Sequence, residues 1–290
     1  MNPNTPWLEF GKRTFVMGIL NITPDSFSGD GLMGQEDLLK AALAQAEEFI
    51  EAGADILDIG GESTRPGAVT VNAEEELSRV YPVIKALRSN RISTLISIDT
   101  YKSGVASAAL DAGADWINDV WGLYADPKMR EVAARYEVPV ILMHNRSKPS
   151  QVELQQQMGG RYIGVPYENL LEDVKHELME SVGIALTAGV KNANIILDPG
   201  IGFGKTVEQN LELVNQLGEI KALGFPVLLG PSRKSFIGYT LNLPPEERIE
   251  GTSAVCAVGI VRGADILRVH DVQTIVRVAR MTDAVVRRKD

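Results

Sequence analysis

Apolar residues along the chain fall into two alternating textures. Short runs of five to eight mainly β-branched or aliphatic residues are apolar almost without interruption. Between them lie longer stretches in which apolar positions recur every three to four residues. The short runs are 14–21 (TFVMGILN), 54–60 (ADILDIG), 95–100 (LISIDT), 115–120 (DWINDV), 139–144 (PVILMH), 194–198 (NIILD), 226–230 (PVLLG) and 265–270 (DILRVH). Continuous rather than alternating apolarity marks strands covered on both faces, as in a parallel sheet flanked by helices. The longer stretches, such as EDLLKAALAQAEEFIEAG and NAEEELSRVYPVIKALRS, have the spacing of amphipathic helices. Several of them end in Gly-Ala-Asp just before a strand, at Gly53, Gly113 and Gly263. That composition predicts a glycine C-cap followed by a short turn. Eight strand–helix units in succession, with no linker between them, predict an α/β fold closed into a (β/α)8 TIM barrel. An open doubly wound sheet is the alternative. The polar stretch 144–166 is expected to be an elaborated loop after the fifth strand.

Composition narrows this picture. Of 290 residues, 44% are hydrophobic and 23% charged, which is ordinary globular material. Because α/β barrels reach about 250 residues as one unit, residues 1–290 are expected to form a single domain. One cysteine, Cys256, excludes a disulfide framework and a cysteine-based zinc site, and points to a reducing, cytoplasmic setting. A net charge of −9 argues against a nucleic-acid partner held by general phosphate attraction, but leaves room for a small anion held by a few local cations. The opening MNPNTPWLEFGKR has no apolar core of a secretory signal, and the longest apolar run, 254–261, is too short to span a bilayer. No membrane partner is expected.

Candidate chemistry collects at the ends of the strands. Asn21, Glu62, Asp99, Asn118, His144, Asp198, Arg233 with Lys234, and Arg268 with His270 each stand at or just past a strand end. A barrel gathers those ends around one mouth. Any one of these residues could simply cap the following helix; the set together predicts an active site. The Ser-Arg-Lys at 232–234 and the Arg-Val-His at 268–270 follow strands seven and eight, where barrels commonly bind phosphate. Arg268 and His270 are two apart and share a strand face, although Arg268 could instead pair with a carboxylate inside the barrel. The glycine-rich DPGIGFGKT at 198–206 fits neither nucleotide pattern. A P-loop needs glycine where Pro199 stands, and the dinucleotide fingerprint needs it at Lys205. Its glycines are expected to let the chain turn tightly beside a ligand. The loops NITPDSFSGDG (21–31) and GGESTRPG (60–67) read as lids. His176, in a charged helical stretch, reads as solvated surface.

Taken in order, GILNITPDSFSGDG, DIGGESTRPGA, SIDTYK, WINDV, ILMH, LDPGIGFGKT, GPSRKSFIG and RVHDV resemble the motif set of the dihydropteroate synthases, from about residue 15 to 272. The resemblance implies a (β/α)8 barrel of folate biosynthesis. Such an enzyme joins a dihydropterin-methyl diphosphate to 4-aminobenzoate, giving dihydropteroate and diphosphate. By the same resemblance, Asp99, Asn118, Asp198 and Lys234 line the pterin pocket, with Met143 and His144 as its wall. Asn21, Arg268 and His270 hold the diphosphate, with Asn21 near a Mg2+ cofactor. Thr64 and Arg65 belong to the second loop, and Pro66, Phe203 and Ser235 border the 4-aminobenzoate. Catalysis falls to Lys234, Asp99, Arg268 and His270, and the assembly is expected to be a homodimer. A pterin-binding methyltransferase barrel shares the ring contacts but has no use for a diphosphate cradle, and a non-catalytic pterin carrier needs only the ring contacts. Both are disfavoured by the Ser-Arg-Lys and Arg-Val-His motifs.

Overall fold

All eight expected strands form, and each lies parallel to its neighbours. The computed structural model describes residues 8–23, 35–63, 67–68, 70–148, 152–155 and 158–287. Barrel strands are β1 (Phe15–Asn21), β2 (Ile56–Gly60), β3 (Leu95–Asp99), β4 (Trp116–Asp119) and β5 (Val140–Met143). Two further strands, β6 (Val152–Gln155) and β7 (Gly159–Tyr162), make a separate hairpin. The barrel resumes with β8 (Ile195–Asp198), β9 (Leu228–Leu229) and β10 (Ile266–Val269). The sheet order is β8-β5-β4-β3-β2-β1-β10-β9, and a parallel bridge between Leu197 and Val227 joins its two ends. The sheet therefore returns on itself, and the open alternative is excluded.

The helices are α1 (Gln35–Glu51), α2 (Ala73–Ser89), α3 (Ser103–Asp111), α4 (Met129–Tyr136), α5 (Leu170–Thr187), α6 (Val207–Asn215), α7 (Leu217–Lys221), α8 (Ser235–Leu241), α9 (Ile249–Val261) and α10 (Val272–Val286). Their starts are chemically marked: the Asn72 and Asn169 side chains accept from backbone N–H groups of α2 and α5, and Thr206 with Gln209 forms a capping box on α6. Among the described residues no helix is long and apolar enough to cross a membrane.

The recurrent Gly-Ala-Asp does more than end a helix. Gly53, Gly113 and Gly263 all have φ between +96° and +112°, where a side chain is disfavoured. The aspartate that follows then reaches across to the neighbouring strand. Asp55 accepts from the Val16 N–H, Asp115 from Ile96 and Asp265 from Val227, each at 2.8–2.9 Å. Each of these carboxylates also pairs with a cation, namely Arg13, Arg88 or Lys221. One tripeptide thus turns the chain and fastens adjacent strands at the barrel's lower end.

Two cores follow from the pleat. Outward-facing strand residues such as Leu57, Ile59, Ile96, Ile98, Ile117, Leu142, Leu197 and Leu267 pack under the helices. Inward-facing Phe15, Met17, Ile56, Leu95, Trp116, Ile141, Ile196, Leu228 and Ile266 fill the lower barrel, with Leu8 and Phe10 packed against them.

The stretch after β5 is more ordered than a loop. In the β6–β7 hairpin Glu153 stands opposite Arg161, and the two form an ion pair. Arg248 donates to the Met158 carbonyl at 2.9 Å, and the Arg161 guanidinium lies 4.1 Å from the Tyr239 ring centroid. Partners roughly 80 to 90 residues away in the sequence hold this hairpin, so local patterning could not reveal it.

Candidate active site

Residues two apart on a strand share a face. Two residues beyond the inner apolar layer stand Ile19, Asp58, Ser97, Asn118, Met143, Asp198, Gly230 and Arg268. The barrel interior therefore changes from hydrocarbon to polar within one pleat. Arg268 occupies the centre of this layer. Its Nε donates to Asp58 Oδ2 at 2.5 Å, and a terminal guanidinium nitrogen donates to Asp99 Oδ2. Asn118 Nδ2 donates to the same Asp58 oxygen at 3.1 Å. Asp58 is fully buried, and its other carboxylate oxygen has no hydrogen-bond partner among the described residues.

One guanidinium thus serves two carboxylates. Burial pushes the Asp99 pKa up to about 7; Arg268 opposes the shift, and the negative charges of Asp58, Glu76 and Asp119 add to it. Burial works against the Arg268 charge, but Asp58 and Asp99 outweigh it and hold its pKa above the ordinary guanidinium value. The triad is a buried ion cluster with surplus negative charge.

A cavity of about 460 Å³ opens over this layer, with Asn21, Asp99, Phe203, Lys234, Ser235, Arg268 and His270 on its walls. Lys234 donates Nζ to the Ile201 carbonyl, and its ammonium lies 4.3 Å from the Phe203 ring centroid. Burial pulls the Lys234 pKa down to about 8, against the pull of the Asp198 charge. Asp198 is buried and accepts from the Gly200 N–H at 2.7 Å; burial raises its pKa, with Lys234 opposing. His270 Nδ1 lies 3.0 Å from Ser232 Oγ, which also accepts from the His270 backbone N–H. Arg233, on the same wall, is turned to Asp271, with Nε 2.9 Å from the carboxylate. The arrangement offers carboxylate acceptors in the depth of the barrel, and cationic or N–H donors beside them. Such a cavity suits a flat ring rich in N–H groups that carries an anionic tail.

The expected site residues are thus not all brought to one surface. Asn118, Met143 and Asp198 are buried in the polar layer on which the cavity opens. His144 lies behind it, with its ring between Lys205 and Glu177. Glu62 does not face the mouth: with Glu76 it holds the Lys102 ammonium at the root of the second loop. Thr64, Arg65 and Pro66 lie outside the described residues. Three features went unread in the sequence. Asp58 interrupts an apolar strand, and that interruption was the available signal. Lys205, set within a glycine-rich turn, carries no separate signal. Tyr162, Met158 and Gly160, on the cavity wall from the hairpin, carried no signal.

Among the described residues no three His, Cys, Asp or Glu side chains gather as a metal cage. Asn21 supplies a neutral amide oxygen on the cavity wall. One such hard oxygen donor is compatible with Mg2+ and does not by itself make an all-protein cage.

A family model described as "pterin binding enzyme" matches residues 17–270. The chain is 53% identical over 281 residues to a dihydropteroate synthase of Clostridium beijerinckii, covering 97% of each. Its fold is similar to the crystal structure of a dihydropteroate synthase from Clostridium difficile in the presence of pteroic acid. There the TM-score is 0.88 and the identity 46%, covering 97% of this chain and 100% of that one. It is also similar to a Xanthomonas albilineans dihydropteroate synthase with 4-aminobenzoic acid, with TM-score 0.84 and 40% identity, covering 94% and 93%.

Proposed function

The chain belongs to the pterin-binding enzyme family as one of its dihydropteroate synthases, and from that premise we propose how its barrel mouth works. The single observation that carries the proposal is the Asp58–Arg268–Asp99 cluster under an open cavity, a set of charges with partners to exchange. Asp198 accepts N–H hydrogen bonds from the aminopyrimidine edge of a dihydropterin, and Asn118, Asp99 and Lys234 complete the ring contacts. Arg268 and His270 then meet the diphosphate, with Thr64 and Arg65 of the second loop as further contacts.

Asn21 would hold a Mg2+ ion, which would help neutralise the leaving diphosphate. The bond between the pterin methylene and the diphosphate oxygen breaks with its electron pair leaving on oxygen, in an SN1-like path. Arg268 and His270 stabilise that developing charge. The electron-rich dihydropterin stabilises the methylene cation, and the neutral arylamine nitrogen of 4-aminobenzoate attacks it and loses a proton. Lys234 and Asp99 hold the ring in place while its charge changes. Phe203, Ser235 and Pro66 border the incoming arylamine, so the second substrate binds after the first. This route needs no strong general base.

Exposed Val258 and Val261 on α9, and Met281 and Val285 on the adjoining α10, support a homodimer formed through these barrel helices. The lone buried thiol, Cys256, supports a reducing cytoplasmic setting. The test is diphosphate release from dihydropterin-methyl diphosphate by purified protein. Release that depends on both 4-aminobenzoate and Mg2+ supports the reading. Diphosphate release that yields no dihydropteroate when both substrates are present overturns the condensation, and release undiminished by chelation removes the metal.

A further inference from the structure

Behind the wall that carries Phe203 lies a buried polar cluster that no substrate contact uses. Lys205 is 2% exposed, and its Nζ turns back beneath its own loop. It donates to the Gly200 carbonyl at 2.9 Å and the Phe203 carbonyl at 3.0 Å, and lies 3.0 Å from His144 Nδ1. On the far side of the imidazole, His144 Nε2 lies 3.0 Å from Glu177 Oε2 on α5, an electrostatic contact that is not aligned as a hydrogen bond. Arg146 grips the same carboxylate, with Nε 2.8 Å from Oε1.

A lysine ammonium has three N–H donors and no acceptor. Two carbonyls and one imidazole nitrogen use all three. That count requires an unprotonated Nδ1, and therefore a neutral His144 carrying its proton on Nε2. Burial and the neighbouring Lys205 charge agree, lowering the His144 pKa to about 4. The loop itself lies tightly on this base. Gly200 has φ +68°, and a Cβ there would stand 1.8 Å from the His144 carbonyl oxygen. From the cavity side, Lys234 holds the Ile201 carbonyl. Three carbonyls of one short turn are thus held by two lysines, Lys205 from behind and Lys234 from the front.

We propose that Lys205, supported by His144 and Glu177, is a positioning residue for the second substrate: it fixes the turn that presents Phe203 to 4-aminobenzoate without touching either substrate. The inference rests on the reading that Phe203 borders 4-aminobenzoate. It also carries a pH dependence. Burial pulls the Lys205 pKa down to about 7; Asp198 and Glu177 favour its charge, while Lys234 and Arg146 oppose it. Loss of the proton removes one of the three donors and loosens the turn.

Steady-state kinetics in both substrates between pH 6 and 9 test this with three variants. Lys205→Met should raise KM for 4-aminobenzoate about tenfold, while KM for the pterin diphosphate stays within about twofold. Glu177→Gln should raise the 4-aminobenzoate KM about two- to fivefold at pH 7. It should also move the alkaline rise of that KM to lower pH, because the ammonium loses a supporting anion. Asp99 and Lys234 titrate in the same window in both proteins, so the displacement relative to the unaltered enzyme is the readout. Phe203→Ala should raise the 4-aminobenzoate KM and leave the pH of that rise in place.

Equal increases in both KM values for Lys205→Met would mean a merely structural lysine and overturn the proposal; no increase overturns it too. Should Lys205→Met fail to fold, Glu177→Gln decides, and an unmoved alkaline limb overturns the proposal. If only Phe203→Ala raises the 4-aminobenzoate KM, the reading of Phe203 survives and the lysine's role falls. If Phe203→Ala has no effect, both fall.

Discussion

The lower barrel and the mouth are built from the same strands, one pleat apart, and both are buried. Ile56 and Asp58 are each fully inaccessible to solvent, as are Ile266 and, nearly so, Asp198. Their contributions nevertheless differ in kind. Burying an isoleucine side chain stabilises the fold by about 1.5–3 kcal/mol. A buried ion cluster such as Asp58–Arg268–Asp99 roughly cancels its own desolvation cost, so it adds little net stability. The comparison teaches that burial alone does not identify what a residue is for. The lower layer holds the barrel together, and the upper layer keeps charges in place for a ligand to recruit.

The largest expected effect comes from emptying the centre of the upper layer. Arg268→Ala should lower kcat/KM by about a thousandfold or more, because it removes a diphosphate contact and leaves two buried carboxylates unpaired. Calorimetry should show a greater loss of affinity for the pterin diphosphate than for a bare pterin. Equal losses would assign Arg268 to the barrel's integrity instead. The matching lesion below is Trp116→Ala, at an inner position 3% exposed. It should cost about 3–5 kcal/mol in denaturant unfolding and leave kcat of the folded enzyme unchanged. A lost kcat at intact stability would erase the division between the two layers.

Asp198→Asn should produce a smaller loss, about 1.5–3 kcal/mol in kcat/KM, with the unfolding midpoint little altered. An unchanged kcat/KM would remove Asp198 from pterin binding. The smallest effects are those of pH on stability, and the upper layer and its backing contribute to them. The Asp99 pKa is raised from 3.8 to about 7. Between those values the folded state binds the extra proton, so its contribution to stability falls as pH rises from about 4 to about 7. The His144 pKa is lowered from 6.5 to about 4. There the unfolded state binds the extra proton, and stability is lost as pH falls through that window. Asp99→Asn should therefore gain stability relative to the unaltered protein on going from pH 5 to pH 8 in denaturant titrations. A constant difference across that range would show that Arg268 fully compensates the Asp99 charge.

Much of this was legible before any coordinates. The eight strands announce themselves because their apolar runs are local and continuous, and the Gly-Ala-Asp turns because an αL position before a strand calls for glycine. The chemistry of the mouth could be read from Asp99, Asp198, Lys234, Arg268 and His270, since strand ends must meet once a barrel is inferred. The geometry among them could not be read. Two roles for Arg268, gripping a ligand or pairing inside the barrel, are equally compatible with its sequence position, and the structure pairs it with Asp58, 210 residues away.

By itself, then, the sequence determined the elements, their order, the face each strand turns inward and the family to which the chain belongs. Periodicities of two and 3.6 residues, and turn chemistry, are properties of short segments and need no knowledge of neighbours. Only the tertiary structure decided which polar residues reach the cavity. It set Asn118 and Asp198 in the buried polar layer under the cavity, turned Glu62 to Lys102 and His144 to Lys205, and brought the β6–β7 hairpin over the mouth. Those outcomes depend on closure of the barrel. Closure sets side chains from distant strands against one another, and burial and pairing energies between them choose each partner.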